Sequence, residues 1–280
     1  MNIQEAVKNG QTILELNNIK TAELDCQILM SKVLNEDKKY LILNSQDKIS
    51  KEDFDYFNIL ISQRAKGKPI AYFLKKKDFW KQEFVVNRDV LIPRPDTELL
   101  IEQVLQITKY KNKLNVLDIG VGSGCILLSI LMEKKNFYGT GLDISNKSLN
   151  ICKINTYKLG LIDRVKLFKS DIDNFNYGKY DLIISNPPYI KKNDLKCLEK
   201  DVIDFEPKKA LDGGISGLSG IRKVIKKSSE LIKKHGKLIL EIGHDQKEPV
   251  KKMLNDNNFY VNRTLKDLAK NDRCIISTKK

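Results

Sequence analysis

The chain has 280 residues, of which 41% are hydrophobic and 31% charged, a balance typical of a globular protein with one large and one small domain. No stretch approaches the ~20 apolar residues of a membrane span, and the N-terminal residues lack the pattern of a secretory signal. We therefore expect a cytoplasmic monomer without a membrane partner. The net charge of +14 comes from lysines spread along the whole chain, which favours a composition bias over a stable nucleic-acid partner.

The cysteines and histidines do not form a pattern typical of a metal site. The five cysteines are scattered without a C-x-x-C pair, and the two histidines do not complete a set of ligands. Cys26, Cys125 and Cys152 fall in apolar or helical patterns, where a free thiol behaves as a small buried hydrophobe. The sequence therefore predicts no bound metal and a reducing compartment.

Residues 1–66 are predicted to form a small helical domain. Apolar residues recur there at near-helical spacing, Thr21 can cap a second helix, and Ser50 with Asp53 resembles an acidic capping box. No catalytic residues cluster in this segment. It can dock a partner or act as a lid, and the residues alone do not separate these two roles.

Residues 67–95 are predicted to form a β-hairpin linker. The aromatic and β-branched residues from Ala71 to Ile92 favour two strands, with Asn87–Asp89 as a turn. Asp96 or Thr97 is then expected to cap the next helix, which ends near residue 108.

Residues 96–280 are predicted to form an α/β domain, because short apolar strands alternate there with helices. The predicted strands are Val116–Ile119, Phe137–Ile144, Val165–Phe168, Tyr180–Ser185 and Lys237–Ile242. This alternation is typical of a doubly wound, Rossmann-like parallel sheet. In such a sheet the ligand crevice lies at the carboxyl ends of the strands.

A glycine-rich turn follows the first of these strands and is the predicted cofactor site. Its residues are Gly120, Val121, Gly122, Ser123 and Gly124. The spacing is G-x-G-x-G, and no P-loop lysine follows, which counts against a nucleoside triphosphate. Asp118 precedes the turn and would repel a pyrophosphate, but it would tolerate a sulfonium ligand that carries an ammonium group. The turn therefore favours S-adenosylmethionine over a nicotinamide cofactor.

Two further carboxylates end neighbouring predicted strands. Asp143 ends the strand after the glycine turn, where an acidic side chain bonds ribose hydroxyls. Asp171 ends the third strand and can accept a hydrogen bond from the adenine amine, while Ile172 can pack on the ring. A helix cap is the alternative role for Asp171.

Asn186-Pro187-Pro188-Tyr189 follows the fourth strand and is the predicted catalytic and substrate-binding motif. An amide or aryl amine is a poor nucleophile, so catalysis must come from positioning and electrostatics. The Asn186 side-chain oxygen and the Pro187 carbonyl can accept both N–H bonds of a planar –NH2 group, and Tyr189 can stack on its face. The proton can leave after methyl transfer, when the nitrogen is far more acidic.

The whole chain resembles the protein-(glutamine-N5) methyltransferases that modify peptide chain release factors. The N-P-P-Y motif alone is shared with methyltransferases that act on nucleic-acid bases. The narrower resemblance rests on segments that follow one another in the family's order. These are Arg64 to Tyr72, Val90 to Glu98, Asp118 to Gly124, Asp143 to Ser145, Ser185 to Ile190, Phe205 to Gly214, Glu241 to Gln246, and Asp267 with Asp272-Arg273.

The resemblance implies a seven-stranded class I methyltransferase domain whose last strand is antiparallel, preceded by a helical domain that docks the release factor. It implies methyl transfer from S-adenosylmethionine to the glutamine of the release factor's Gly-Gly-Gln loop. Carried over by position, the glycine turn, Asp143, Ile172 and Asn186 line the cofactor. Asn186 to Tyr189 hold the glutamine, and Glu206 supports the substrate side of the pocket.

The chain departs from the family's pattern at a few positions. Lys75 and Lys270 stand where glycine is usual, Val121 replaces a common threonine, and Asp96 replaces a glutamate. None of these departures removes a proposed catalytic group. The alternative functions are a methyltransferase that acts on an exocyclic base amine of DNA or RNA, and a non-catalytic binding module that keeps the cofactor fold.

Overall fold

The computed structural model describes residues 1–280, and contacts within the chain divide them into two units. The first unit combines Met1–Lys75 with Glu199–Phe205. The second unit combines Lys76–Leu198 with Glu206–Lys280. No helix combines the length and the apolar character that a membrane crossing requires.

The first unit is helical. Its helices are α1 (Ile3–Leu16), α2 (Ala22–Leu34), α3 (Lys38–Leu43), α4 (Lys51–Ala65), α5 (Ile70–Leu74) and, later in the chain, α9 (Lys200–Phe205). Their apolar faces share one core that includes Leu14, Leu29, Phe57 and Phe73, each fully or almost fully buried. Burial of this stripe, more than intrinsic propensity, stabilises helices as short as these.

Polar contacts within the first unit confirm one predicted cap and correct another. Ser50 accepts the Asp53 backbone N–H at the start of α4, as predicted. Thr21 precedes α2 but does not cap it, because its hydroxyl donates to the Asp25 carboxylate 2.9 Å away. That carboxylate is buried and also pairs with Arg64 of α4 at 2.7 Å, so Thr21 contacts a buried ion pair instead.

The predicted hairpin is shorter and earlier than expected. Its strands are β1 (Lys76–Phe79) and β2 (Gln82–Val85), with the turn at Trp80–Lys81. The Asn87–Asp89 turn also forms, but it follows the hairpin. Residues 70–74 are helical because Phe73 is buried in the core of the first unit. Lys75 ends α5 in the left-handed region at φ +56°, a conformation that costs a non-glycine residue roughly 1–2 kcal/mol.

A seven-stranded mixed sheet forms the centre of the second unit, which confirms the predicted fold class. The strands are β3 (Asn115–Ile119), β4 (Tyr138–Asp143), β5 (Val165–Lys169), β6 (Tyr180–Ser185), β7 (Ile232–Glu241), β8 (Phe259–Lys266) and β9 (Asp272–Lys279). They are arranged in the order β5-β4-β3-β6-β7-β9-β8. The first five are parallel, and the last strand of the chain, β9, is antiparallel to both its neighbours.

The second unit contains five α-helices, and the first of them confirms the helix predicted to end near residue 108. They are α6 (Glu98–Ile107), α7 (Cys125–Glu133), α8 (Asn146–Lys158), α10 (Ser219–Leu231) and α11 (Lys247–Asp256). Ser145 caps α8 by accepting the Ser148 N–H. Two buried apolar clusters surround the sheet and fix its helices against it.

The register of the parallel strands aligns their carboxyl ends. Ile119 pairs with Leu142, and Ser185 pairs with Leu240. The residues that end or follow the five parallel strands therefore lie along one edge, in the spatial order Asp171, Asp143, Gly120, Asn186 and Glu241. Since neighbouring strands lie about 4.8 Å apart, this row is about 19 Å long, which suits an elongated ligand.

Candidate active site

The glycine turn at the end of β3 is held by backbone hydrogen bonds and is open in front. Gly120 and Val121 both donate to the Leu142 carbonyl, at 2.8 and 3.0 Å. Gly120 has φ +80°, and a Cβ built there would meet nothing within 4 Å. Gly124 is different, because a Cβ there would lie 2.8 Å from Cys152 Sγ and Leu128 Cδ1. Gly120 thus leaves room for a ligand, while Gly124 permits close packing of α7.

Asp118 is a buried carboxylate beside this turn. It is 1% exposed, and neither oxygen has a hydrogen-bond partner of normal geometry in the chain. Burial raises its pKa to about 7, with a smaller raising effect from the Asp143 charge and an opposing effect from the Leu127 backbone N–H. A buried acceptor without a partner costs free energy unless a ligand supplies the donor or the charge.

Asp143 ends β4 and is oriented by the turn itself. One oxygen accepts the Gly122 N–H at 3.0 Å, and the other accepts the Ser145 N–H at 2.8 Å. Desolvation nevertheless raises the pKa of this half-buried carboxyl. Each carboxylate oxygen retains a lone pair, so Asp143 can still accept hydrogen bonds from a pair of hydroxyl groups.

Asp171 and Ile172 follow β5 at one end of the row. Asp171 Oδ1 accepts the Asp173 N–H at 3.0 Å and so caps a short 3₁₀ turn, which is the alternative that the sequence left open. Its Oδ2 makes no hydrogen bond with the chain, so the cap and a ligand contact are compatible. Ile172 is half-buried against the apolar cluster beside the sheet.

Asn186 lies directly after β6, and its amide nitrogen is engaged by the chain. Nδ2 donates to Thr97 Oγ1 at 3.2 Å. Neither its Oδ1 nor the Pro187 carbonyl makes a hydrogen bond with the chain. Pro187 is buried and Pro188 half-buried, with the ring and carbonyl of Pro188 against Gly220. Two acceptors therefore remain free at the position from which the motif was predicted to bind an –NH2 group.

Tyr189 is fixed by its hydroxyl and by its carbonyl. The hydroxyl donates to Glu241 Oε1 at 3.0 Å and accepts from Arg273 Nη1 at 3.3 Å. The carbonyl accepts from Gln246 Nε2 at 2.9 Å. Burial and the nearby Glu241 charge raise the pKa of Tyr189 far above its usual value, so the phenol stays protonated.

Glu206 is buried and engaged by the segment that precedes α6. Its carboxylate accepts the Ile92 N–H at 3.0 Å and pairs with the Arg94 guanidinium. The carboxylate thus ties the loop after Asn186 to the extended segment at residues 92–94. This arrangement is compatible with the prediction that Glu206 supports the substrate side of the pocket, because that role requires no direct contact between Glu206 and the substrate.

Sequence reasoning did not assign a functional role to Thr97, Glu241 or Arg273. Asp96 or Thr97 was expected to cap α6, but the Thr97 hydroxyl donates to Glu241 at 2.7 Å and no side chain caps this helix. Glu241 is 2% exposed, and the register of β6 and β7 places it next to Asn186 at the ends of these strands. Arg273 pairs with Asp267 at 2.9 Å behind Tyr189. The only signal in the sequence was their presence in the segments that carry the family resemblance.

The residues present fit S-adenosylmethionine. The partnerless Asp118 carboxylate suits a cationic group, the open face of Gly120 admits close approach, and Asp143 can accept from two hydroxyls. The groups also follow one another along a single edge in the order that an elongated nucleoside with a charged tail requires.

The sheet order and this site define a class I methyltransferase fold. Among solved structures, a methyltransferase from Pyrococcus furiosus has a TM-score of 0.54 at 16% identity, covering 78% of this chain and 98% of its own. A ribosomal protein L11 methylase from Lactobacillus delbrueckii has a TM-score of 0.50 at 19% identity, covering 68% of this chain and 82% of its own. At such low identity these likenesses concern the fold alone.

Sequence comparisons give the family. The PrmC N-terminal domain matches residues 5–74, and the methyltransferase small domain matches residues 95–209. The release factor glutamine methyltransferase of Clostridium acetobutylicum is 37% identical over 286 residues, covering 100% of this chain and 99% of its own. That of Buchnera aphidicola from Acyrthosiphon pisum is 35% identical over 279 residues, covering 100% and 99%. The chain belongs to the release factor glutamine methyltransferase family, which confirms the predicted resemblance.

Some relatives are longer. A bifunctional methyltransferase of Rickettsia bellii is 32% identical over 300 residues, covering 98% of this chain. The chain spans 54% of the length of that relative.

Proposed function

We propose that this protein transfers a methyl group from S-adenosylmethionine to the side-chain amide nitrogen of the glutamine in the Gly-Gly-Gln loop of peptide chain release factors. The observation that carries this proposal is the pair of free acceptors, Asn186 Oδ1 and the Pro187 carbonyl, one strand away from the open glycine turn. Family membership identifies the amide that they hold as a protein glutamine.

Residues at the carboxyl edge of the sheet would hold the cofactor. Asp171 and Ile172 would hold the adenine end, Asp143 would bind the ribose hydroxyls, and the Gly120–Gly124 turn would hold the part of the cofactor that follows. Asp118 would interact with the cationic end, whose positive charge would balance the buried carboxylate. When bound, the cofactor supplies an electrophilic methyl group on a sulfonium that loses its charge on transfer.

The N-P-P-Y motif orients the glutamine amide. Asn186 Oδ1 and the Pro187 carbonyl each accept one of its N–H groups, which fixes the amide plane so that the nitrogen lone pair, perpendicular to that plane, faces the methyl group. Tyr189 stacks on the planar face and excludes water. Since the amide nitrogen becomes acidic only after the new N–C bond forms, its proton leaves afterwards, and no general base is required.

Labelled S-adenosylmethionine tests the proposed reaction. Incubation of the protein with intact release factor transfers label to the factor, whereas a Gln→Ala change in its Gly-Gly-Gln loop abolishes the transfer. Naked DNA and RNA serve as the other arms of the assay. Transfer to nucleic acid, or undiminished labelling of the Gln→Ala factor, contradicts the proposal.

Asn186→Ala tests the amide-holding role. We expect kcat to fall by about 10²–10³-fold, the usual loss when one preorganised polar contact at a reacting centre is removed. The dissociation constant for S-adenosylmethionine, measured by calorimetry, changes little, because the turn and Asp143 remain. A near-normal kcat in this variant excludes the assigned role.

The partners and surroundings follow from the substrate. We propose that residues 1–66 dock the release factor, that residues 67–95 link this domain to the methyltransferase domain of residues 96–280, and that the protein acts as a cytoplasmic monomer without stable nucleic acid. Its five free cysteines support a reducing compartment. Burial raises the pKa of Cys26, Cys125, Cys152 and Cys274 to about 12, so these thiols are unreactive.

A further inference from the structure

A continuous hydrogen-bond chain runs behind the N-P-P-Y motif. Asn186 Nδ2 contacts Thr97 Oγ1 at 3.2 Å, and Thr97 Oγ1 contacts Glu241 Oε2 at 2.7 Å. The other oxygen of Glu241 accepts from the Tyr189 hydroxyl at 3.0 Å. One buried carboxylate therefore joins the two side chains of the motif that the proposed function uses.

The protons in this chain fix the direction of every bond. An ionised carboxylate only accepts, so Thr97 must give its single hydroxyl proton to Glu241. The Thr97 oxygen can then only accept from Asn186. If the Asn186 amide were rotated by half a turn, its oxygen would face the lone pairs of Thr97 and no proton would lie between them. The rotated state therefore loses a hydrogen bond and gains repulsion between two oxygens.

We infer that Thr97 and Glu241 are positioning residues that hold the Asn186 amide with its oxygen toward the substrate. This inference rests on the proposed function, because the orientation matters only for a substrate that presents N–H groups. With the amide rotated, Asn186 would offer its own –NH2 to the –NH2 of the glutamine, and two donors cannot pair. Thr97 and Glu241 touch neither substrate nor cofactor in this arrangement and act through Asn186 and Tyr189.

The same carboxylate sets the orientation of Tyr189. Because the phenol donates to Glu241 and accepts from Arg273, the ring is fixed at its hydroxyl end. Strand register supports this double role. Ser185 pairs with Leu240, so Asn186 and Glu241 are neighbours at the ends of adjacent parallel strands.

Thr97→Val is the direct test, because valine keeps the shape of this buried side chain and removes only the hydroxyl. We expect kcat to fall by about tenfold, corresponding to the loss of one buried hydrogen bond that orients the amide. KM for the release factor and the dissociation constant for S-adenosylmethionine stay within about twofold of the wild-type values. Thr97→Ser restores the hydroxyl and recovers kcat to within about threefold.

Thr108→Val is the matched control. Thr108 lies at the other end of the same helix, is equally buried, and donates its hydroxyl to the Val104 carbonyl. The same chemical change there leaves kcat unaltered, although it lowers stability. If Thr97→Val keeps a wild-type kcat, or if Thr97→Ser is as slow as Thr97→Val, the inference is wrong.

Nuclear magnetic resonance separates this inference from the proposed function. The side-chain –NH2 signal of Asn186 is identified by its loss in Asn186→Ala. In Thr97→Val that signal shifts and exchanges faster with solvent, whether or not release factor is the substrate. An unchanged signal overturns the positioning role, whereas wild-type protein that leaves release factor unlabelled overturns the proposed function alone.

Glu241→Gln provides a second readout through the pH profile. Desolvation raises the pKa of Glu241, and a protonated Glu241 can donate to Thr97, which frees the amide to rotate. In wild type, kcat at saturating cofactor therefore falls on the acid side. The Glu241→Gln substitution removes this acid limb and lowers kcat by about three- to tenfold at pH 8. An unchanged acid limb in this variant contradicts the role of the carboxylate.

Other ionisable groups face Glu241 and bear on the same dependence of kcat on pH. They are Tyr189, Arg273, Asp96, Cys125 and Cys274. Arg273 favours the ionised carboxylate and Asp96 opposes it. Because the two cysteines and the tyrosine stay protonated well above neutral pH, they do not contribute an acid limb.

Discussion

Asp118 combines complete burial with the absence of a hydrogen-bond partner. Most buried carboxylates in proteins are paired, because an ionised oxygen in an apolar interior is costly. The Asp118 carboxylate lies where a cationic ligand is proposed to bind. Its pKa of about 7 reflects the free-energy cost of burying an ionised carboxylate in the ligand-free protein. The buried carboxylate therefore lowers the folding stability of the ligand-free protein but increases its affinity for the proposed cationic ligand.

This arrangement makes binding of S-adenosylmethionine dependent on pH. A cationic ligand favours the ionised form of Asp118, so the site must release a proton on binding below pH ~7. We expect the dissociation constant to increase by up to about tenfold per pH unit below 7 and to be constant above it. Asp118→Asn binds more weakly at pH 8 and loses the dependence. Calorimetry at pH 6 and 8 measures both, and equal wild-type constants would contradict the assignment.

Folding stability of the ligand-free protein shows the opposite trend. Because the folded pKa lies above the ordinary value of 3.8, the native state binds protons more tightly than the unfolded chain, and this contribution is lost as pH rises through 7. Asp118→Asn should therefore raise the free energy of unfolding at pH 8 by about 1–3 kcal/mol. The exposed Asp163→Asn is the control, with no change expected.

Several polar side chains attach the hairpin β1–β2 to the methyltransferase domain, among them Glu98, Glu133, Lys158 and Asn155. Asn155 of α8 accepts the Val85 N–H at 2.7 Å and donates to the Val85 carbonyl at 3.0 Å. It also donates to the Ser123 carbonyl at 2.8 Å. One amide thus joins a strand, a helix and the glycine turn, so the position of the hairpin and the shape of the cofactor turn are coupled.

Asn155→Ala should disturb all three elements. The change leaves buried backbone groups of Val85 and Ser123 without partners, which costs about 3 kcal/mol in the free energy of unfolding. S-adenosylmethionine should also bind more weakly, since the turn loses a contact at Ser123. Urea unfolding and calorimetry measure the two effects. Asn150→Ala on the exposed face of the same helix should change stability by less than about 0.5 kcal/mol.

The two units of the chain have different proposed roles. The first unit contains no part of the proposed catalytic site, yet several of its large apolar side chains are exposed. Leu16 is 79% exposed, and Ile42 and Leu43 at the end of α3 are 66% and 72% exposed. Adjacent exposed apolar side chains are typical of a surface that binds another protein. They favour the docking role over the lid role for this unit.

Leu43→Glu tests the docking role. We expect KM for intact release factor to increase by about tenfold, since one apolar contact is replaced by a charge, while kcat stays near wild type. Activity on a short Gly-Gly-Gln peptide should not change, because the peptide lacks the rest of the release factor that the first unit is proposed to dock. Tyr110→Glu, at an equally exposed position of the second unit, is the control. If Leu43→Glu lowers activity on the peptide as well, the segment acts as a lid.

Local chemistry was sufficient to predict the α/β alternation, the glycine turn and the N-P-P-Y motif. Apolar periodicity and turn-forming residues are properties of short stretches, and the sheet places every parallel strand end on the same edge. The hairpin was misplaced because the helical state of residues 70–74 depends on burial of Phe73 among helices far along the chain.

Hydrogen-bond partners, by contrast, were decided by tertiary structure. Thr97 next to a helix start is typical of a cap, yet its hydroxyl bonds Glu241, 144 residues away. A hydroxyl donates to an acceptor within about 3 Å, and only the packing of α6 against β7 brings that carboxylate into reach. The missing hydrogen-bond partner of Asp118 is likewise a property of the folded chain that the sequence does not show. The sequence was enough to propose the groups that bind the substrate and the cofactor, and the fold determines their orientation and charge.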